Sequence, residues 1–394
     1  MPKKPSGTTG PTVSTEFSTY ISVNRGLVRD IEYDSVGNIY VTGGGAQIIE
    51  SVITPGNDYK VLDGAIDHGR FDPHDVFVQK YSADGALIWT TRMGGVNYDR
   101  AYALEVDNQG SVYVAGRAGL DFYTTQGALQ ETFGGDTPAT ENPPYGPQDG
   151  FVSKLDADTG QVDWSTYFGG ASGEFIRDID VGPDGTIHIA QTFAKLEAGQ
   201  HITSDALQPN LNGAIDEIYA QLSNDGSTLL YGTYIGGDNE PDPTGGNPAI
   251  VVDANGDINF LTETDAFNAP TTAGAYSSQP LGASDLYLVK FDGSDGGRSI
   301  KAATYFGTSD RYILETHNLA VVADSFSFSA SNTADDSPSS INPEMLLGGN
   351  QPEGIAAPEA WLELAGSETG LYLVIADNDG DGVYSLQLDD MWSV

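Results

Sequence analysis

Two hairpin patterns alternate along this chain with a period of about 70 residues, and a repeat of that length leaves few folds open. The first is a strand of alternating apolar residues, a short Asp/Gly turn and a second strand. It occupies Arg29–Gly43, Ala103–Gly116, Ile179–Ala190 and Ile250–Leu261, with a degraded copy at Leu319–Ser329. The turn glycines Gly37, Gly110, Gly185 and Gly256 are 73, 75 and 71 residues apart. The second pattern opens on an aspartate (Asp75, Asp149, Asp216, Asp285) and ends in a strand running into glycine: Trp89–Gly95, Trp164–Gly170, Tyr231–Gly237 and Ala303–Gly307. A weaker fifth copy starts at Glu359. Alternation with period two, broken by Gly/Asp turns, is the signal of β-hairpins. Four strands per repeat is the make-up of a β-propeller blade.

The expected fold is therefore all-β: a single β-propeller of four-stranded antiparallel blades, five in number with six as the alternative. The repeats start near residues 27, 100, 177, 248 and 317, within a propeller spanning 16–394, after an N-terminal extension at 1–15. Phe17–Ser22 matches a fourth strand (compare Trp164–Phe168), so it is expected to complete the last blade and close the ring. Closure of that kind removes an exposed sheet edge. Extra strands in 371–394 leave the blade number open.

The signature Asp-x-Phe-Val-x-Lys-Leu, then Trp/Tyr-Ser-Thr-Tyr-x-Gly-Gly, then Val-Asp-x-x-Gly-x-x-Tyr-Val-x-Gly, resembles the SBBP β-propeller repeat. So do Asp121–Gln130 and Phe267–Tyr276. The resemblance covers residues 16–310 well and the last 85 residues poorly. It implies a propeller of surface or secreted type and is nearly silent on activity.

Loop lengths suggest where function lies. Turns between strands 1 and 2, and 3 and 4, are short, whereas Gly44–His74, Arg117–Gln148, Thr192–Ile215, Glu263–Ser284 and Asn332–Pro358 are long. Connections beyond about 12–15 residues are usually functional or disordered, and insertions repeated on one face usually mark a binding face. These loops are expected to pile onto one face of the ring.

Charge narrows the partners. With 17 Lys plus Arg against 56 Asp plus Glu, the net charge is −39. Nucleic-acid binding needs clustered basic residues, which are missing here; an anionic membrane surface is disfavoured for the same reason. There is no Cys, hence no disulfide and no thiolate chemistry. No stretch approaches the ~20 apolar residues of a membrane span, and Met1–Gly10 lacks the apolar run of a signal peptide. Acidity spread through a folded chain points to a surface hydrated in concentrated salt, where self-repulsion is screened.

Four groups of residues carry possible chemistry. Asp377, Asp379 and Asp381, followed by Gly382 and with Ser385 at the ninth loop position, present hard oxygen ligands for Ca²⁺; Leu388 stands where an EF-hand needs glutamate, so the expected site is a calcium hairpin. His68, Arg70, Asp72 and His74 concentrate groups that could ligate a metal or hold an acidic sugar; the plainer alternative is a local ion pair with His74 packed beside a strand. Arg29, Arg100 and Arg177 recur at the start of first strands, either as an anion-binding ring or, more simply, paired with carboxylates such as Asp30 and Asp178. Phe122, Tyr123 and Tyr145, with Tyr59, Phe133, Phe193 and Tyr276, could stack on sugar rings or merely anchor their loops. No nucleophile elbow, Walker loop or zincin motif is present.

These observations lead to an expectation of a non-enzymatic binding or structural module facing a high-salt exterior, extracellular or on a virion surface. The leading form is a capsid decoration, turret or tail appendage of a halophile virus. Its partners would be host glycans, a surface glycoprotein or neighbouring subunits. The alternatives are a secreted or cell-surface propeller and a polysaccharide lyase or hydrolase built on one.

Overall fold

The computed structural model describes residues 23–48, 50–60, 74–95, 98–135, 148–170, 173–194, 201–213, 216–237, 247–253, 255–264, 266–280 and 285–306, and the strand backbones at 314–322, 325–332, 363–364, 371–376 and 384–388. The described strands form five sheets.

The first sheet contains β1 (Val23–Tyr33), β2 (Ile39–Ile48), β3 (Asp58–Lys60), β4 (Asp75–Tyr81) and β5 (Leu87–Gly94), in the order β1-β2-β4-β5-β3. The second runs in sequence through β6 (Arg100–Val106), β7 (Ser111–Ala118), β8 (Asp149–Asp156) and β9 (Val162–Phe168). The third does so through β10 (Phe175–Val181), β11 (Ile187–Ala194), β12 (Asp216–Leu222) and β13 (Leu229–Ile235). The fourth has β14 (Ala249–Val252), β15 (Ile258–Thr264), β16 (Asp285–Phe291) and β17 (Ile300–Phe306). All neighbours are antiparallel except β3, which lies parallel to β5.

The fifth sheet departs from the expected order. It combines β18 (Leu314–Val322), β19 (Ser325–Asn332), β20 (Glu363–Leu364), β21 (Leu371–Ala376) and β22 (Tyr384–Leu388) as β18-β19-β22-β21-β20. The copy starting at Glu359 was expected beside the Leu319–Ser329 hairpin. Instead β22 pairs with β19, and Glu363–Leu364 is outermost. β21 and β22 pair with each other in register, Ala376 opposite Ser385, so they dock as one hairpin and only one of them can meet β19.

The core lies between sheets. Trp89, Val76 and Val78 of the first sheet pack with Leu104, Phe151 and Tyr167 of the second. Tyr113, Val152 and Trp164 then meet Ile176, Ile189 and Leu222, and Tyr219, Tyr231 and Ile235 meet Phe260, Tyr287 and Phe291. The innermost strands of successive sheets lie side by side, β1 by β6, β6 by β10, β10 by β14 and β14 by β18. Sheets stacked face to face around their first strands make a propeller-like architecture. The closing segment at 17–22 lies outside the described residues.

The long connections do not pile onto one face where they are described. The first four fold back along the outer edge of their own sheets and bond to the fourth strand. Thr54, Thr125, Thr203 and Thr272 donate their N–H to the carbonyls of Thr90, Ser165, Gly232 and Ala303, at 2.9–3.1 Å. In return Arg92, Tyr167, Tyr234 and Tyr305 donate to Asn57, Gln130, Gln208 and Ser277 at 3.0–3.1 Å. An exposed outer strand is a template for unwanted pairing, and these loops cover it.

Candidate functional site

The site grows from an irregularity shared by the first strands. β1, β6, β10 and β18 each carry a register shift at the same place, between Val28 and Asp30, Ala101 and Ala103, Ile176 and Asp178, and Thr316 and Asn318. A bulge leaves one residue unpaired and re-aims its side chain. The extra residues are Arg29, Tyr102, Arg177 and His317. Opposite the bulges, Gly43 and Gly116 are obligatory in this arrangement, because a Cβ on either would run into the carbonyl of Leu27 or Arg100.

Tyr102 becomes the centre of a basic cluster. The guanidinium carbons of Arg29, Arg100, Arg117 and Arg177 lie 5.7, 5.2, 5.7 and 4.7 Å from its ring centroid. Arg100 at the start of β6 and Arg117 near the end of β7 face each other in register. Arg117 also stands 4.7 Å from the Tyr98 ring and 5.0 Å from Phe175, which Arg177 approaches at 5.6 Å. Cation–π contacts of this kind recover about 0.5–2 kcal/mol each. Burial pushes the basicity of Arg100 and Arg177 down, and the neighbouring arginines add to the effect. The Nε atoms of both are buried without a hydrogen-bond partner.

The expected Arg–Asp pairing is replaced by another arrangement. Arg92 pairs with Asp58 and Arg298 with Asp205, both away from this cluster, and no described ion pair involves Arg29, Arg100 or Arg177. The neighbouring acids bond to backbone amides instead, because β6 and β14 are edge strands of their sheets and offer N–H groups to the sheet before them. Asp30 accepts from Ile31 at 2.9 Å and from Leu104 of the next sheet at 2.8 Å. Asp178 accepts from Ile179 and from Ile250 at 3.0 and 2.8 Å, and Asp180 from Val181 and Val252 at 2.6 Å each. Desolvation pushes Asp30 up to about 7 and Asp180 up to about 6, and it raises Asp178 and Glu105 as well. The inner edge thus carries an arginine–tyrosine cluster next to a row of reluctant carboxylates.

Other sequence candidates are placed as follows. His74 is half-buried, its ring 4.5 Å from that of Tyr98, which puts it at the margin of the arginine cluster. His68, Arg70, Asp72 and Tyr145 lie outside the described residues, as do Asp377, Asp379 and Asp381; Ser385 is described only as backbone on β22. Phe122 is not available for stacking on a ligand. It is 4% exposed, packed 4.6 Å from Phe151, because the outer-edge loop needs an apolar plug. Tyr123 stacks on Tyr59 at 4.7 Å, and the Tyr59 hydroxyl accepts the Val162 N–H, so this pair ties the first loop to the second sheet. Phe133 meets Tyr167 edge-on. His188 is buried beside Tyr219 and His201 is half-buried against Phe168, and desolvation lowers both to about 4, so they stay neutral at pH 7.

Sequence reasoning missed Tyr98, Tyr102, Arg117 and Phe175. A signal was present for Tyr102. Arg29, Tyr102 and Arg177 are 73 and 75 residues apart, the spacing of the turn glycines, so the true repeat partner of Arg29 is Tyr102 and not Arg100.

No family model matches the chain, and no curated protein matches it. Solved structures that resemble it include a protein of unknown function from Dyadobacter fermentans, 14% identical over 93% of this chain and 96% of that one, with a TM-score of 0.42. The quinohemoprotein alcohol dehydrogenase of Comamonas testosteroni is 10% identical over 91% of this chain and 59% of its own, TM-score 0.39. The polysaccharide lyase Uly1 is 10% identical over 92% and 77%, TM-score 0.35. At such values the likeness says nothing of activity; the propeller-like assignment stands on sheet order and inter-sheet packing.

Proposed function

We propose that the chain is a five-bladed, SBBP-type propeller closed by residues 17–22, and that it works as a non-enzymatic binding module in concentrated salt. The observation that carries the binding role is the convergence of four of the nine arginines on one ring at the inner edge, in a protein of net charge −39. Apart from His74, which lies beside Tyr98, the described histidines and loop aromatics support this reading from the other side, since packing consumes them. Buried donors suit a salty setting. Exposed charge pairs are screened within about 3 Å at 1 M salt, whereas desolvated ones keep their strength.

The proposed setting is the surface of a virion of a halophile virus, as a capsid decoration, turret or tail appendage that engages host glycans, a surface glycoprotein or a neighbouring subunit. Ca²⁺ held by Asp377, Asp379, Asp381 and Ser385 belongs to the same reading as a structural ion. A glycan array developed in about 2 M NaCl tests the binding role. Binding without release of unsaturated or hydrolysed sugar is expected. Turnover would instead favour a polysaccharide lyase or hydrolase, and a blank array would remove the glycan partner.

A further inference from the structure

Resting on the binding-module reading, we propose that Arg29, Arg100, Arg117 and Arg177 around Tyr102 form an oxyanion site that takes the carboxylate or sulfate of an acidic sugar.

Three sheets contribute to it. β1 supplies Arg29, β6 and β7 supply Arg100, Tyr102 and Arg117, and β10 supplies Arg177. All four guanidinium carbons fall within 5.7 Å of one ring centroid. So many like charges in so small a space repel one another, and the chain has 56 carboxylates with which to separate them. Yet the adjacent Asp30 and Asp178 bond to backbone amides of neighbouring sheets. One carboxylate, Glu217 at the start of β12, interacts with Arg177, and burial raises its proton affinity well above normal. No described ion pair takes up the guanidinium of Arg29, Arg100 or Arg177.

A second, independent feature points to a ligand. Arg100 is only 7% exposed and its Nε has no partner; the Nε of the half-buried Arg177 has none either. Buried donors are almost always satisfied, and an exception needs an explanation. The guanidinium fork matches a planar carboxylate or a sulfate through two parallel N–H···O bonds. Access is provided from the solvent side, where Arg29 is exposed and Tyr102 half-buried. An oxyanion reaching Tyr102 past Arg29 would come into the cluster that holds the orphaned donors of Arg100 and Arg177.

The test uses the full chain and calorimetric titration with trigalacturonate, a sulfated chondroitin disaccharide and neutral trigalactose, at low and multimolar NaCl. Binding of trigalacturonate or of the sulfated disaccharide is expected, with trigalactose inert, and the bound ligand should raise Tm. The stronger of the two acidic ligands identifies the oxyanion. Arg177→Gln should weaken binding at least tenfold and the exposed Arg29→Gln several-fold, while Arg92→Gln on the outer edge leaves affinity unchanged. If Arg177→Gln does not fold, Arg29→Gln decides alone. Equal affinity for acidic and neutral sugars, or unchanged affinity in folded Arg29→Gln and Arg177→Gln, overturns the oxyanion site but leaves the module reading intact. A chain that binds none of these sugars loses the oxyanion site, and a blank array besides removes the glycan partner, leaving a surface glycoprotein or a neighbouring subunit for the module.

Discussion

The aspartate that opens each third strand shows how one residue makes a repeat signature. Asp149 Oδ2 accepts the Gly134 N–H at 2.7 Å and the Gln130 side chain at 3.3 Å, and Asp216 Oδ2 accepts the Asn212 N–H and the Gln208 side chain at 2.8 and 2.7 Å. The carboxylate holds the outer-edge loop in place. Its body lies across the glycine that ends the fourth strand. A Cβ on Gly169 would stand 2.6 Å from Asp149 Cβ, and one on Gly236 would overlap Asp216 Oδ1. The Asp and the Gly-Gly of the sequence pattern are thus two halves of one contact, made across a sheet by residues about 20 positions apart. Gly236→Ala should destabilise the protein by about 1–3 kcal/mol, the usual cost of overpacking, read as a lowered urea midpoint. Asp216→Ala removes the obstruction but also two hydrogen bonds. The double variant should therefore lose less than the two single losses together, and strict additivity would refute the contact.

Between elements, the decisive device is a tryptophan reaching into the next sheet. Trp89 Nε1 donates to the Ala157 carbonyl at 3.0 Å, and Trp164 Nε1 to Asn224 at 2.9 Å. Each ring covers a turn glycine of the neighbour, Gly160 or Gly226, at φ 72° and 70°. At the next interface Tyr231 takes the equivalent place and meets Arg298, 4.8 Å from its ring. Trp164→Ala should cost about 3–5 kcal/mol and Trp164→Phe markedly less, measured by chemical denaturation. The first strand is the exception to this inter-sheet burial. Leu27, Val28 and Ile31 of β1 are 47–48% exposed, whereas Ile176 and Ile179 of β10 are buried. If the proposed ring closure covers this face, Ile31→Asp should destabilise by about 1–3 kcal/mol; a neutral effect would mean that β1 is an open end. The alternation that defines these strands was readable residue by residue. The hooks and the covered outer edges were not, because they join segments whose separation in sequence carries no local pattern.

For the whole molecule, charge and burial act together. Desolvation raises Asp30 and Asp149 to about 7 and Asp180 to about 6, from an unfolded value of 3.8. Between about 4 and 7 the folded state holds protons that the unfolded state has released, so stability falls as pH rises through that window. Asp34 and Asp156 are shifted the other way by hydrogen bonds to their own turns, and they act only near and below the normal carboxylate range. Tm should therefore be higher at pH 5 than at pH 8, by several degrees at roughly 2–4 °C per kcal/mol. The net charge of −39 adds repulsion that salt screens. NaCl from about 0.1 to 2 M should raise Tm, and more at pH 8 than at pH 5. Differential scanning calorimetry over the two axes checks both, and a surface flat in salt would refute the high-salt adaptation.

What the residues alone determined is the repeating hairpin. Alternation and turn chemistry act over a few positions, so the strands of the first four sheets, β3 excepted, follow from the chain as written. What only the tertiary structure decided is where the long connections lie, how the last hairpin docks, and which side chains meet at the inner edge. The bulges of β1, β6 and β10 send Arg29, Tyr102 and Arg177 to a common point, and Arg100 and Arg117 join them from paired strands. Sequence spacing places those five residues in three separate repeats. Their convergence comes from the stacking of the sheets, which packs first strand against first strand to bury the apolar faces between them.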